Sequence, residues 1–143
     1  MSETQQFKLT ITSESSNLET VCEFITNAAR SSGLTEKQTD DVQMAVDEAV
    51  TNVIEHAYAG KTNGRIMIVC EYRGDEFIVE IQDFGKPFDA SQVRAPRTRG
   101  PLSHRTIGGL GIFFMKKLMD EVQFSSDREH GNRTRLVKRI KPQ

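Results

Sequence analysis

One seventeen-residue stretch, VQMAVDEAVTNVIEHAY from Val42 to Tyr58, constrains the chain most. Val42, Ala45, Val46, Ala49, Val50, Val53, Ile54 and Ala57 recur at three- and four-residue spacing. That spacing is a single apolar stripe on a helix of 3.6 residues per turn, and it has to be covered by something apolar. Glu48, Asn52 and His56 are spaced four apart along one border of the stripe, so they stack at about 6 Å per step. A carboxylate and a carboxamide at the edge of a core stripe can reach a ligand held between the helix and whatever lies over it. The same row, taken alone, is also what a boundary between core and water looks like.

The 143 residues are 36% hydrophobic, which suits one compact domain over 1–143. A net charge of −1 gives no argument for direct nucleic-acid binding, but the charge is unevenly placed. Glu36, Asp40, Asp41, Asp47, Glu48 and Glu55 make the central helix acidic, while Lys86, Arg94, Arg97, Arg99 and Arg105 make a later loop basic. Cys22 and Cys70 have no C-x-x-C partner or nearby His, so two reduced, buried thiols are expected. No run of about 18 apolar residues and no signal-peptide pattern is present. A cytoplasmic protein without membrane association is expected.

Along the chain, Phe7, Leu9 and Ile11 alternate with Lys8, Thr10 and Thr12, the period of a half-buried strand. Ser16 with Glu19 predicts a capping box opening a helix that Gly33 ends; Thr35 with Gln38 predicts a second box, for the central helix running to about Ala59. Arg65 to Tyr72 and Glu76 to Gln82 predict a hairpin turning through Arg73, Gly74 and Asp75. Phe77, Val79 and Ile81 share one strand face, and Asp83 continues it, so a carboxylate points where core side chains point. Residues 90–107 follow neither period and predict a binding loop or lid. Gly108, Gly109 and Gly111 lead into an apolar helix from Ile112 to Met119, and Val122 to Ser125 with Thr134 to Ile140 predict a closing hairpin. Antiparallel strands with helices gathered on one side describe an α+β two-layer sandwich.

Three stretches carry the chemistry: E-A-V-T-N at Glu48 to Asn52, D-F-G-K-P-F at Asp83 to Phe88, and G-G-L-G at Gly108 to Gly111. In this order and in these elements they resemble the N, G1 and G2 boxes of the GHKL (histidine kinase-like) ATPases, the superfamily with the Bergerat nucleotide-binding fold. E-A-V-T-N-x-x-x-H-x-Y on the helix and the D-x-G-x-P-F turn resemble, more narrowly, the anti-sigma-factor serine kinases of bacterial partner-switching systems. The resemblance implies a mixed, largely antiparallel sheet with helices on one face, and ATP and Mg²⁺ as cofactors.

Residue by residue, the resemblance implies that Asn52 ligates Mg²⁺ and that Glu48 is the general base for an incoming serine hydroxyl. It implies that Asp83 reads the adenine amine and that Gly85 lets the turn pass close to the base. Gly108, Gly109, Leu110 and Gly111 form the phosphate segment, with Gly109 and Gly111 as the family's Gly-x-Gly. Arg105 aligns with a basic residue that reaches the terminal phosphates, a task also open to Arg97 and Arg99. Thr134 matches a closing threonine near adenine. The implied partners are a STAS-domain anti-anti-sigma protein, which is phosphorylated, a sigma factor, which is sequestered, and a second copy in a homodimer. Two other readings stay open: a non-catalytic ATP-binding switch, and a stand-alone histidine kinase catalytic domain.

Overall fold

The computed structural model describes residues 5–87 and 109–140. The expected lid over 90–107, with Arg105, and Gly108 lie outside them. Ten segments follow in order: β1 (Gln5–Thr12), a 3₁₀ turn (Ser15–Asn17), α1 (Leu18–Ser31), α2 (Glu36–Asn52), a π-helical turn (Val53–Ala57), β2 (Arg65–Arg73), β3 (Glu76–Asp83), α3 (Gly109–Leu118), β4 (Glu121–Asp127) and β5 (Gly131–Arg139). The strands form one sheet in the order β1-β2-β3-β5-β4. Every ladder among the described residues is antiparallel, where the resemblance implied a mixed, largely antiparallel sheet. The two-layer α+β sandwich is as expected.

Period-two patterning decides which face of the sheet meets the helices. Phe77, Val79 and Ile81 of β3 are fully buried, as are Ile66, Ile68 and Cys70 of β2. The register pairs Ile68 with Ile81, Cys70 with Val79 and Val79 with Leu136, so these side chains form rows across the sheet. Against them pack Val21 and Ile25 of α1, the α2 stripe from Val42 to Val50, and Ile112, Met115 and Met119 at α3. Burying each such aliphatic side chain contributes about 1.5–3 kcal/mol. Cys70 sits in this layer, and burial pushes its thiol up to about 12; both cysteines are free.

The helix ends show which local signals the fold uses. At Thr35 the predicted capping box is complete: Gln38 N–H donates to Thr35 Oγ1 at 3.1 Å, and Thr35 N–H donates to Gln38 Oε1 at 2.9 Å. At Ser16 it is not, because a 3₁₀ turn occupies Ser15–Asn17 and Asn17 becomes the residue before α1. Asn17 Nδ2 turns back to the Thr12 carbonyl and hydroxyl, joining α1 to the end of β1 instead. Gly33, at φ +89°, ends α1 as expected, with Leu34 N–H returning to the Ala29 carbonyl. The β2–β3 connection is tighter than predicted, a two-residue turn of Gly74 and Asp75 with Gly74 at φ +61°.

Two departures bear on the site. α2 does not stay α-helical to Ala59: after Asn52 the chain widens into a π turn, in which Tyr58 N–H reaches back to the Val53 carbonyl at 2.9 Å. Such turns are rare and frequent at functional sites. α3 starts earlier than predicted, at Gly109 rather than Ile112. Its other end is fixed by Lys138 of β5, whose ammonium donates to the Leu118 carbonyl at 2.6 Å and to Asp41 Oδ2 of α2 at 3.2 Å.

Removing the Thr35 hydroxyl leaves the Gln38 N–H without its side-chain acceptor. Thr35→Ala is expected to cost about 1 kcal/mol, read as a lower urea midpoint with an unchanged slope.

Candidate functional site

The site is built on α2, whose stripe presses one side into the core and leaves Glu48 and Asn52 half-buried at its border. α3 crosses this border at its first turn. A Cβ placed on Gly111 would lie 2.9 Å from Glu48 Oε2, 3.5 Å from Asn52 Nδ2 and 3.6 Å from Asn52 Oδ1. A side chain at residue 111 would have to push the Glu48 carboxylate aside. Gly109, Leu110 and Gly111 form the first turn of α3 rather than a loop leading into it. This is where backbone N–H groups have no partner within the helix and where the helix dipole favours an anion. A helix N-terminus, which favours anions, thus stands beside a carboxylate and a carboxamide. His56 falls inside the π turn, and the wider turn takes it out of the even four-residue row.

The second part is the turn after β3. Asp83 lies on the core face at the end of the central strand and is 3% exposed. Its Oδ1 accepts from Gly85 N–H at 2.9 Å and from Asn132 Nδ2 at 2.8 Å. Burial raises its carboxyl above the usual range, and these two hydrogen bonds only partly oppose that. The turn is also clamped to the end of α2. Lys86 N–H donates to the Ala57 carbonyl at 2.7 Å, and Phe84 N–H donates to the Tyr58 hydroxyl at 2.8 Å, which in turn donates to the Arg65 carbonyl at 2.6 Å. Gly85 makes the contact possible, since a Cβ there would lie 2.4 Å from Ala57 O.

The end of the helix at Ala57 explains why its carbonyl is available. Lys61 N–H, the donor four residues on, goes to Tyr58 O instead, so the Ala57 carbonyl is free to take Lys86.

Thr134 is buried on the core face opposite Ile81 and Phe124. It is not a partner of Asp83; Asn132, two residues earlier and directly across the ladder, is. Asn132 was not singled out in the sequence, because only the β3–β5 register, a long-range pairing, sets it opposite Asp83. Among the described residues no group of three or more His, Cys, Asp or Glu side chains is placed to hold a metal ion. A cation at Asn52 would take most of its oxygens from phosphate and water, the usual arrangement for Mg²⁺.

Comparison with known proteins places this geometry. The histidine kinase-like ATPase domain matches residues 11–138, nearly the whole chain. The chain belongs to this family. Among curated histidine kinase-like relatives, a serine-protein kinase RsbW of Listeria innocua is 32% identical over 107 residues, 72% of this chain and 68% of the relative. An anti-sigma F factor of Clostridium botulinum is 39% identical over 102 residues, 70% of each. The crystal structure of the RsbU and RsbW domains of Rv1364c from Mycobacterium tuberculosis superposes with a TM-score of 0.69 over 96% of this chain. At 18% identity, and with 33% of that longer chain covered, it shares the fold. The fold and family expected from the three boxes are therefore established.

Asp83 gives this domain a testable pH signature. Because its native pKa is raised above the ordinary 3.8, its contribution to stability is fully present below 3.8 and is lost as pH rises through the raised value. Asp83→Asn keeps an acceptor for Gly85 and Asn132 but has no charge to bury. The unfolding free energy of the variant relative to wild type, measured by urea titration without nucleotide, is expected to grow with pH across this window and then level off.

Proposed function

We propose that the chain is an ATP-dependent serine protein kinase and anti-sigma regulatory factor. It phosphorylates a STAS-domain anti-anti-sigma partner and sequesters a sigma factor. The reading is supported by relatives named serine-protein kinase and anti-sigma F factor, and the observation that carries it is Glu48. Its Oε2 stands 2.9 Å from where a Gly111 Cβ would be, so a carboxylate lies against the helix turn suited to bind phosphates. A carboxylate there repels phosphate oxygens, so its position suits taking a proton rather than holding the phosphates.

Each residue then has a task. The α3 first turn, Gly109, Leu110 and Gly111, holds the phosphates with backbone N–H groups, and Gly111 lets them approach. Asn52 offers a neutral carboxamide oxygen to Mg²⁺, which would neutralise phosphate charge when bound. Glu48 accepts the proton of the serine hydroxyl as that oxygen bonds to the γ-phosphorus and ADP leaves. Asp83 accepts from the adenine amine, with Gly85 keeping the turn close to the base and Thr134 lining the same face of the sheet. Gly108, Arg105 and the lid complete the phosphate end in this proposal. We further place the protein in the cytoplasm, as a single-domain chain that acts as a homodimer; among the described residues no helix is long and apolar enough to cross a membrane.

Phosphate transfer from labelled ATP and Mg²⁺ to purified STAS-domain proteins tests the proposal. Acid-stable serine phosphate on one of them is expected, at least about 100-fold reduced by Glu48→Gln with ATP affinity nearly unchanged, and lost with Asn52→Ala. Acid-labile phosphate would mark a histidine kinase domain, and ATP binding without transfer a non-catalytic switch; either result rejects the serine kinase. Gly111→Ala, whose methyl group would push the Glu48 carboxylate aside, is expected to slow phosphate transfer by about tenfold or more, measured on folded protein.

A further inference from the structure

Asp83 is a buried carboxylate without a cationic partner: among the described residues its hydrogen bonds come only from the neutral donors Gly85 N–H and Asn132 Nδ2, and both reach Oδ1. Asn132 is itself buried, at 8% exposure. Its Nδ2 faces three oxygens: Asp83 Oδ1 at 2.8 Å, Gly85 O at 3.0 Å and Lys86 O at 3.4 Å. Its Oδ1 accepts from Ser126 Oγ of β4 at 2.8 Å. The carboxamide can sit only one way round. Flipped, it would set an oxygen among three acceptors and give up the hydrogen bond that its Oδ1 now accepts from Ser126.

This lock determines what Asp83 can offer a ligand. With two donors on Oδ1, the lone pairs left to the carboxylate are those of Oδ2, which no donor among the described residues reaches. A ligand at Oδ2 must bring a hydrogen. A 6-aminopurine does; a 6-oxopurine would meet it acceptor to acceptor, and an unmatched polar group in a buried site is costly.

We propose that Asn132, locked by Ser126, is a positioning residue that sets nucleobase preference, holding Asp83 Oδ1 so that Oδ2 is presented to a 6-amino group and 6-oxopurines are rejected. The proposal rests on the adenine-reading role given to Asp83 above. It differs from a purely structural part for Asn132, in which the amide merely staples the 83–86 turn to β5. A staple serves every nucleotide equally; a lock on Asp83 serves the amine.

The experiment compares dissociation constants for ADP and inosine diphosphate, by calorimetry, on wild type, Asn132→Leu, Asn132→Ser and Ser126→Ala, each checked for folding by thermal melting. Wild type is expected to favour ADP by about 100-fold or more. Asn132→Leu should cut that ratio at least about tenfold, chiefly by weakening ADP. Asn132→Ser, which keeps a donor, should recover part of it, and Ser126→Ala should lower it by about threefold. If both nucleotides weaken together and the ratio holds, Asn132 is only a staple and the inference falls. Should Asn132→Leu fail to fold, Ser126→Ala decides, because its side chain is on an edge strand; an unchanged ratio there overturns the proposal. Wild type that binds no ADP would instead overturn the proposed function itself.

Discussion

A helix carbonyl released from its own helix holds the two halves of this site together. Ala57 O, left without an intrahelical partner where the helix ends, takes the Lys86 N–H of the turn after β3. One helix therefore sets the position of Glu48 and Asn52 along its length and of the Asp83 turn at its end. Had the helix run on through Lys61, Ala57 O would be committed to the Lys61 N–H and the turn would lose its anchor. Gly85 is the complement of that arrangement, because a side chain there would strike the carbonyl it has to approach.

Among the described residues, two buried aspartates are treated in opposite ways. Burial pushes the Asp41 carboxyl up, but hydrogen bonds and charge from Lys37 and Lys138 outweigh it and hold the carboxyl below the usual range. Asp41 is thus kept ionised and, through Lys138, joins α2, β5 and the end of α3. Among the described residues Asp83 receives only neutral donors, and it stays raised. A compensated carboxylate suits structure, since its charge is already answered. An uncompensated one keeps an unspent demand for a donor, which suits recognition.

What was legible in the sequence was what depends on local period or on a few adjacent residues. The α2 stripe, the odd-numbered face of β3 running on to Asp83, the Thr35 box and the family signature of the three motifs all hold. The Ser16 box failed because Asn17 had a competing acceptor at Thr12, a partner in another element that a four-residue pattern does not contain. The π turn left no mark, since Val53 to Ala57 reads as well in an α-helix. The early start of α3 was hidden because three glycines in four residues read as a loop, while close packing against Glu48 favours glycine inside the helix. Asn132 needed the register of two strands some fifty residues apart.

The position of Cys70 gives the fold an internal clock. It lies in β2, paired with Phe7 of β1 on one side and Val79 of β3 on the other, with its side chain fully covered by the helical layer. A thiol so buried, its ionisation pushed up to about 12, reacts with alkylating reagents only in molecules that have opened. The rate at which Cys70 is alkylated therefore counts excursions that separate sheet from helices, while the half-buried Cys22 on α1 registers smaller openings of the helical layer. The native pair of thiols makes the breathing of the domain measurable without adding any label to it.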